Sequence, residues 1–144
     1  MAIIDYTRAA LDAAGGTLAD AGPVYMVNLV RFRDQATYEA TFEAAADLPP
    51  CSGREAYFQR YAPAFQAIAR GEDYSVFWVG NVRGVVVGVD GEAWDDIVIV
   101  RYASFATLRR ILESPAYAEH AAPHRHAAFA DWKFLVTTQP ELPR

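Results

Sequence analysis

The run Trp94-Asp-Asp-Ile-Val-Ile-Val-Arg-Tyr102 constrains the fold more than any other segment of this chain. Its centre is apolar at consecutive rather than alternate positions, so a strand formed here must be covered on both faces. Ser104 then caps a short helix, and Ser114-Pro115 starts a second. Trp132-Lys-Phe-Leu-Val136 returns as a strand, so the segment to Gln139 reads as strand–helix–helix–strand. The pattern predicts a sheet with helices on one side and a further layer, such as a second subunit, on the other.

The upstream half supplies the matching elements. Asp5 is placed to cap a small Ala-rich helix that ends at Gly15-Gly16. Pro23 opens a strand over Val24–Phe32, and Asp34 starts a further short helix with Tyr38 and Phe42 one turn apart. After Pro49-Pro50, Ser52-Gly-Arg-Glu55 fits a capping box, the hydroxyl serving the amide of residue 55 and the carboxylate reaching back. Tyr57, Tyr61, Phe65 and Ile68 follow at helical spacing as one apolar stripe, and Gly71 is a C-terminal stop. Pro63 predicts a kink near Gln59 and Arg60, because it lacks an amide and crowds the preceding turn. Tyr74–Val79 and Val82–Val89 read as strands broken by Gly80-Asn81 and Gly84, and Asp90-Gly91 is a turn.

Setting aside the two small leading helices, the order is strand, helix, strand, strand, helix pair, strand. That is the split β-α-β-β-α-β order of ferredoxin-like α+β sandwiches. At 144 residues the chain is expected to be a single domain, with a ferredoxin-like core over 23–138 and an N-terminal helical extension over 1–22.

Composition excludes several functions. The net charge is −5 and the one lysine is Lys133, which argues against a nucleic-acid surface. No apolar run approaches the roughly 18 residues of a membrane span and no basic-then-apolar leader is present, so a cytoplasmic location is expected. Cys51 is the lone cysteine, without a polarising neighbour, and reads as a bystander. The sequence holds no dinucleotide fingerprint, phosphate loop or nucleophile elbow, and no cofactor is expected.

Several motifs together resemble a known family. Met26-Val-Asn-Leu-Val-Arg-Phe32, Gly53-Arg-Glu-Ala-Tyr-Phe-Gln-Arg-Tyr61, the Trp94–Tyr102 run, Ser114-Pro-Ala-Tyr117 and His124-Arg-His-Ala-Ala-Phe-Ala-Asp131 are similar to domain-of-unknown-function family 1330. That family lies in the dimeric α/β-barrel superfamily, and the resemblance runs from Pro23 to Thr138. Where the family usually has Pro-Ser after the Arg-Tyr strand end, this chain has Ala103-Ser104, which keeps the cap. The resemblance implies a homodimer with sheets packed face to face and a cleft between sheet and helices in each subunit. It implies no activity, since superfamily relatives include cofactor-free monooxygenases, isomerases, haem enzymes and simple ligand binders.

Candidate site residues each have a structural and a functional reading. Asn28 is an amide within an apolar strand, tying down structure or facing a pocket. Arg31 and Arg101 end two strands, where a guanidinium can hold a carboxylate ligand or pair with Asp95, Asp96 or Glu55. Tyr57, Tyr61 and Tyr117 lie on helix faces turned to the sheet and suit a core edge or a ligand pocket. The three tryptophans read as packing or interface residues, with a pocket-closing role for Trp94 and Asp95 implied by the resemblance alone.

His120 and His124 are four apart, but Pro123 intervenes and disfavours helical geometry at Ala122, so no metal site is expected. His124-Arg125 matches the family's usual pair; His124 is the candidate general base and Arg125 a candidate ligand contact, or both brace the last helix. An axial haem ligand is a further role open to His124.

The expected function is thus a homodimer binding a small, partly apolar and in one form anionic molecule, with Arg101, Arg125 and His124 holding its polar end. The alternatives are a cofactor-independent monooxygenase or isomerase using His124, and a purely structural or interaction protein.

Overall fold

The computed structural model describes residues 2–18 and 21–143. It is an α+β fold, a four-stranded antiparallel sheet with helices packed on one face. The strands are β1 (Val24–Phe32), β2 (Tyr74–Asn81), β3 (Asp96–Tyr102) and β4 (Phe129–Thr137), in the order β2-β3-β1-β4. The central strand β1 alternates strictly, with Val24, Met26, Asn28, Val30 and Phe32 buried and the intervening residues only half-buried. It pairs with β3 on one side and β4 on the other, so that Asn28 faces Val98 and Phe134 across the ladders.

The edge strand β2 carries a bulge between Val76 and Trp78. One extra residue there shifts the alternation. Tyr74, Val76 and Val79 consequently share the helix-covered face with Tyr102, Val100 and Val98. Phe77 instead packs edge-on against Tyr25 on the opposite face, ring centroids 4.9 Å apart. The Trp78 indole lies on Gly80, which has no room for a side chain of its own.

Helix α1 (Arg8–Gly16) is capped by Thr7, whose hydroxyl accepts from the Ala10 amide. The expected cap, Asp5, is drawn elsewhere, as described below. Helix α2 runs without interruption through Gly53–Glu55, a π-helical segment Ala56–Tyr61, and Ala62–Ile68. Its capping box is present in both directions, Ser52 Oγ to the Glu55 amide and Glu55 Oε1 to the Ser52 amide, each 3.0 Å. The kink expected at Pro63 takes the form of the wide π turn, in which the Ala62 amide bonds to the Tyr57 carbonyl.

The same device recurs in the last helix. Helix α3 (Phe105–Leu112) is followed by α4, made of a π segment Tyr117–Ala121 and the α segment Ala122–Ala128. Here the Ala122 amide bonds to the Tyr117 carbonyl just before Pro123. Ala122 itself stays helical at φ −53°, ψ −38°, contrary to the reading that Pro123 would disturb it. Widening a turn by one residue accommodates a proline that can neither donate nor tolerate a close carbonyl behind it.

Two expected elements are absent. The helix after Asp34 does not form; the segment is irregular apart from a 3-10 turn at Glu43–Asp47. Its amides are used across the fold instead, Ala36 to the Cys51 carbonyl and Thr37 to the Ala127 carbonyl. Val82–Val89 is likewise a loop, with Val86 and Val87 almost fully exposed. Beyond Val82, which bonds to the Asp95 carbonyl, no neighbouring strand offers the run a partner.

Leu11, Val24, Met26, Leu108 and Ile111 form one core cluster, and Val30, Phe32, Ala56, Phe129 and Trp132 a second. The N-terminal segment is tied to the body by the Tyr6 hydroxyl, which donates to the Leu112 carbonyl at 3.1 Å. No helix among the described residues is long and apolar enough to cross a membrane.

Candidate functional site

The aromatic stripe of α2 does not close down fully on the sheet. Between α2 and the helix-side face of β2 and β3 lies a cavity of about 270 Å³, with Tyr57, Tyr61 and Phe65 on one wall and Val98, Val100 and Tyr102 on the other. Tyr117 and Trp132 form its floor together with Asn28 and Phe134. It opens over the β2 edge, where Val76 and Val79 turn toward the helix layer yet stay 61% and 48% exposed because no helix covers them.

The polar groups around the cavity fall into two kinds. The first are hydrogen-bonded within the chain. Asn28 Nδ2 donates to the Val98 carbonyl at 3.0 Å, and its Oδ1 accepts from Trp132 Nε1 at 2.9 Å. Tyr61 and Tyr117 share a hydrogen bond at 2.9 Å, and Tyr117 accepts from Arg125 Nη1 at 2.6 Å. Arg125 is buried, with its guanidinium over the rings of Trp132, Tyr6 and Tyr117. Its Nη2 donates to Asp5 at 2.9 Å, so the N-terminal segment supplies the counter-ion to a buried cation. This explains why Asp5 does not cap α1.

The second kind are the hydroxyls of Tyr57, Tyr74 and Tyr102 and the Gln66 amide, which line the cavity and have no side-chain hydrogen-bond partner among the described residues. Burial pushes the phenols of Tyr57, Tyr61, Tyr102 and Tyr117 well above their ordinary range, and mutual repulsion of the ionised forms adds to it. They therefore stand as neutral donors at physiological pH.

Of the residues singled out in the sequence, Asn28, Tyr57, Tyr61 and Tyr117 come together in this cleft. Arg125 stands behind Tyr117 and does not line it. Arg101 and Arg31 lie on the opposite face of the sheet, Arg101 paired with Asp73 at 3.3 Å and Arg31 at the β4 side near Asp131. His124 is also outside. Its Nδ1 is 2.7 Å from the Tyr38 hydroxyl, Phe42 packs on its ring, and Arg60 completes the cluster through Tyr38 at 3.2 Å. Partial burial, with Arg60 nearby, lowers the His124 pKa below its usual value.

Tyr102, Tyr74 and Trp132 line the cleft without having been singled out for it. The signal for Tyr102 was the parity of its strand, since it shares a face with Val98 and Val100. For Tyr74 the bulge in β2 had to be known first.

No family model matches the chain, and no curated protein does. Two solved structures are similar throughout: an RPA0582 protein of unknown function from Rhodopseudomonas palustris, and methylated RPA0582 protein. Each is 27% identical with a TM-score of 0.82 and is matched over 99% of this chain, which covers 100% of the former and 98% of the latter. The likeness therefore extends to the whole chain, N-terminal segment included.

Proposed function

We propose that this protein is a homodimer of ferredoxin-like subunits, packed sheet to sheet as in dimeric α/β barrels, in which each subunit binds a small organic molecule between its sheet and α2. The observation that carries the reading is the cleft itself, a preformed, largely apolar cavity with several polar groups, among them the unpartnered Tyr57 and Tyr102 hydroxyls. The dimer draws support from the other sheet face, where Val27, Leu29, Ile97 and Ile99 have no covering layer among the described residues and Phe77 and Trp78 are half exposed. An uncovered apolar face of this extent is a common mark of an interface. The resemblance to domain-of-unknown-function family 1330 points the same way.

Binding without chemistry is the form of the reading that the geometry favours. A general base must reach the proton it removes, and His124 is held by Tyr38 away from the cleft lining. Native mass spectrometry of the purified protein tests the proposal, followed by denaturation to release any bound molecule. A dimer that carries, or on addition takes up, one small molecule per chain is the expected result. A monomer, or a dimer whose Ala62→Trp variant, with an indole added to the cleft lining, retains the molecule, would overturn it.

A further inference from the structure

We infer that the cleft selects an uncharged ligand of one or two rings bearing a carbonyl or similar acceptor, and rejects the corresponding carboxylate. The inference deepens the proposed function and rests on it. Its first support is the lining, which contains no Asp, Glu, Lys, Arg or His. An anion buried there would lose hydration and find no cation in the lining to pair with, a penalty of several kcal/mol in general.

The nearest buried cation, Arg125, stands behind Tyr117 outside the lining and makes no direct pair with a ligand in the cleft. One terminal nitrogen is committed to Tyr117 and the other to Asp5, while the Trp132 ring covers the guanidinium at 4.7 Å. Reaching the cleft would mean breaking the Asp5 pair and displacing Tyr117, itself 1% exposed. Arg31 and Arg101 are on the far side of the sheet.

The second support is the supply of donors. Asn28 has one partner at each end of its amide, the Val98 carbonyl on Nδ2 and Trp132 on Oδ1, which leaves its second N–H as a further donor. The cleft also offers the Tyr57 and Tyr102 hydroxyls, kept protonated by burial and lacking a partner, and its lining adds the Tyr74 hydroxyl and the Gln66 amide. A purely apolar occupant would cover these hydroxyls and leave them without a hydrogen bond, so an acceptor that pairs with them is favoured over it. Tyr117, polarised by Arg125, can donate to Tyr61 and leave the Tyr61 proton directed at the same acceptor. At about 270 Å³ the cavity lies just below the roughly 300–1,000 Å³ of drug-sized sites, which sets the ring count.

Calorimetric titration of the intact protein with 1-indanone and with indane-1-carboxylate at near-neutral pH tests this. The ketone should bind about ten-fold or more tightly than the carboxylate, and Tyr57→Phe/Tyr102→Phe should weaken the ketone by about ten-fold or more. The double variant removes only two oxygens, and its circular dichroism reports whether the fold is kept. Equal or tighter carboxylate binding would overturn the charge selection while leaving the cleft as a binding site. Unchanged ketone affinity in the double variant would overturn the role of the hydroxyls. Saturable binding of neither compound would overturn this inference, and the cleft reading falls as well if native mass spectrometry also finds no ligand.

Discussion

Gly53 shows how much one missing side chain can decide. Its amide donates to the Arg33 carbonyl at 3.0 Å, and the Arg33 amide donates to Ala128 at 2.8 Å, so three chain segments meet at this residue. A Cβ here would sit within contact of the Arg33 carbonyl and 2.5 Å from the Ala128 carbonyl, all backbone that cannot step aside. Gly53→Ala should therefore destabilise the fold by about 1–3 kcal/mol, measured by denaturant unfolding. A change within a few tenths would contradict the close approach.

The buried phenols make a second prediction at this scale. Their folded-state pKa values are raised, so the stability they contribute is present below the ordinary value of 10.0 and is lost as pH rises past it. Tyrosinate absorbance from Tyr57, Tyr61, Tyr102 and Tyr117 should appear only together with loss of the circular-dichroism signal, whereas a smooth titration in the folded state would contradict their burial. Single residues were only partly legible in the sequence. Tyr57, Tyr61 and Tyr117 could be placed because helical spacing points them at the sheet. Arg125 and His124 could not, since adjacent residues on a helix point in different directions, and only packing shows that one goes inward to Tyr117 and the other to Tyr38.

Among the elements, α2 carries most of the site. Its capping box fixes where the helix starts, and its π turn sets the direction in which Tyr57 and Tyr61 leave the axis, their rings stacked at 5.2 Å. Ser52→Ala removes the cap and should lower stability by about 1 kcal/mol in thermal or chemical unfolding. Loss of less than a few tenths would mean the helix start is held by packing alone. The capping box, the strand Val24–Phe32 and the last strand were legible because their signals are local. The loop at Val82–Val89 was not, because a valine-rich run becomes a strand only beside a partner, and β3 is already paired with β2 and β1. The segment after Asp34 failed for a similar reason, its amides being claimed by Cys51 and Ala127.

For the whole molecule, the doubly apolar β3 is the organising feature. Helices cover Val98 and Tyr102 on one side, while Ile97 and Ile99 look out from the other onto a face that no helix or strand among the described residues covers. The dimer proposed here buries that face, so Ile99→Lys should turn a dimer into a folded monomer in sedimentation equilibrium. A monomeric wild-type protein would remove this part of the account. The cleft lies on the opposite side of the sheet, so the variant should retain ligand affinity.

The most direct test of the central claim is an amide ¹H–¹⁵N correlation spectrum recorded while 1-indanone is added. The cleft predicts that the largest shifts fall on Tyr57, Phe65, Val98 and Tyr102, the residues facing one another across it. Shifts concentrated on Tyr25, Ile99 and Leu135, or none up to saturation of the solution, would contradict it.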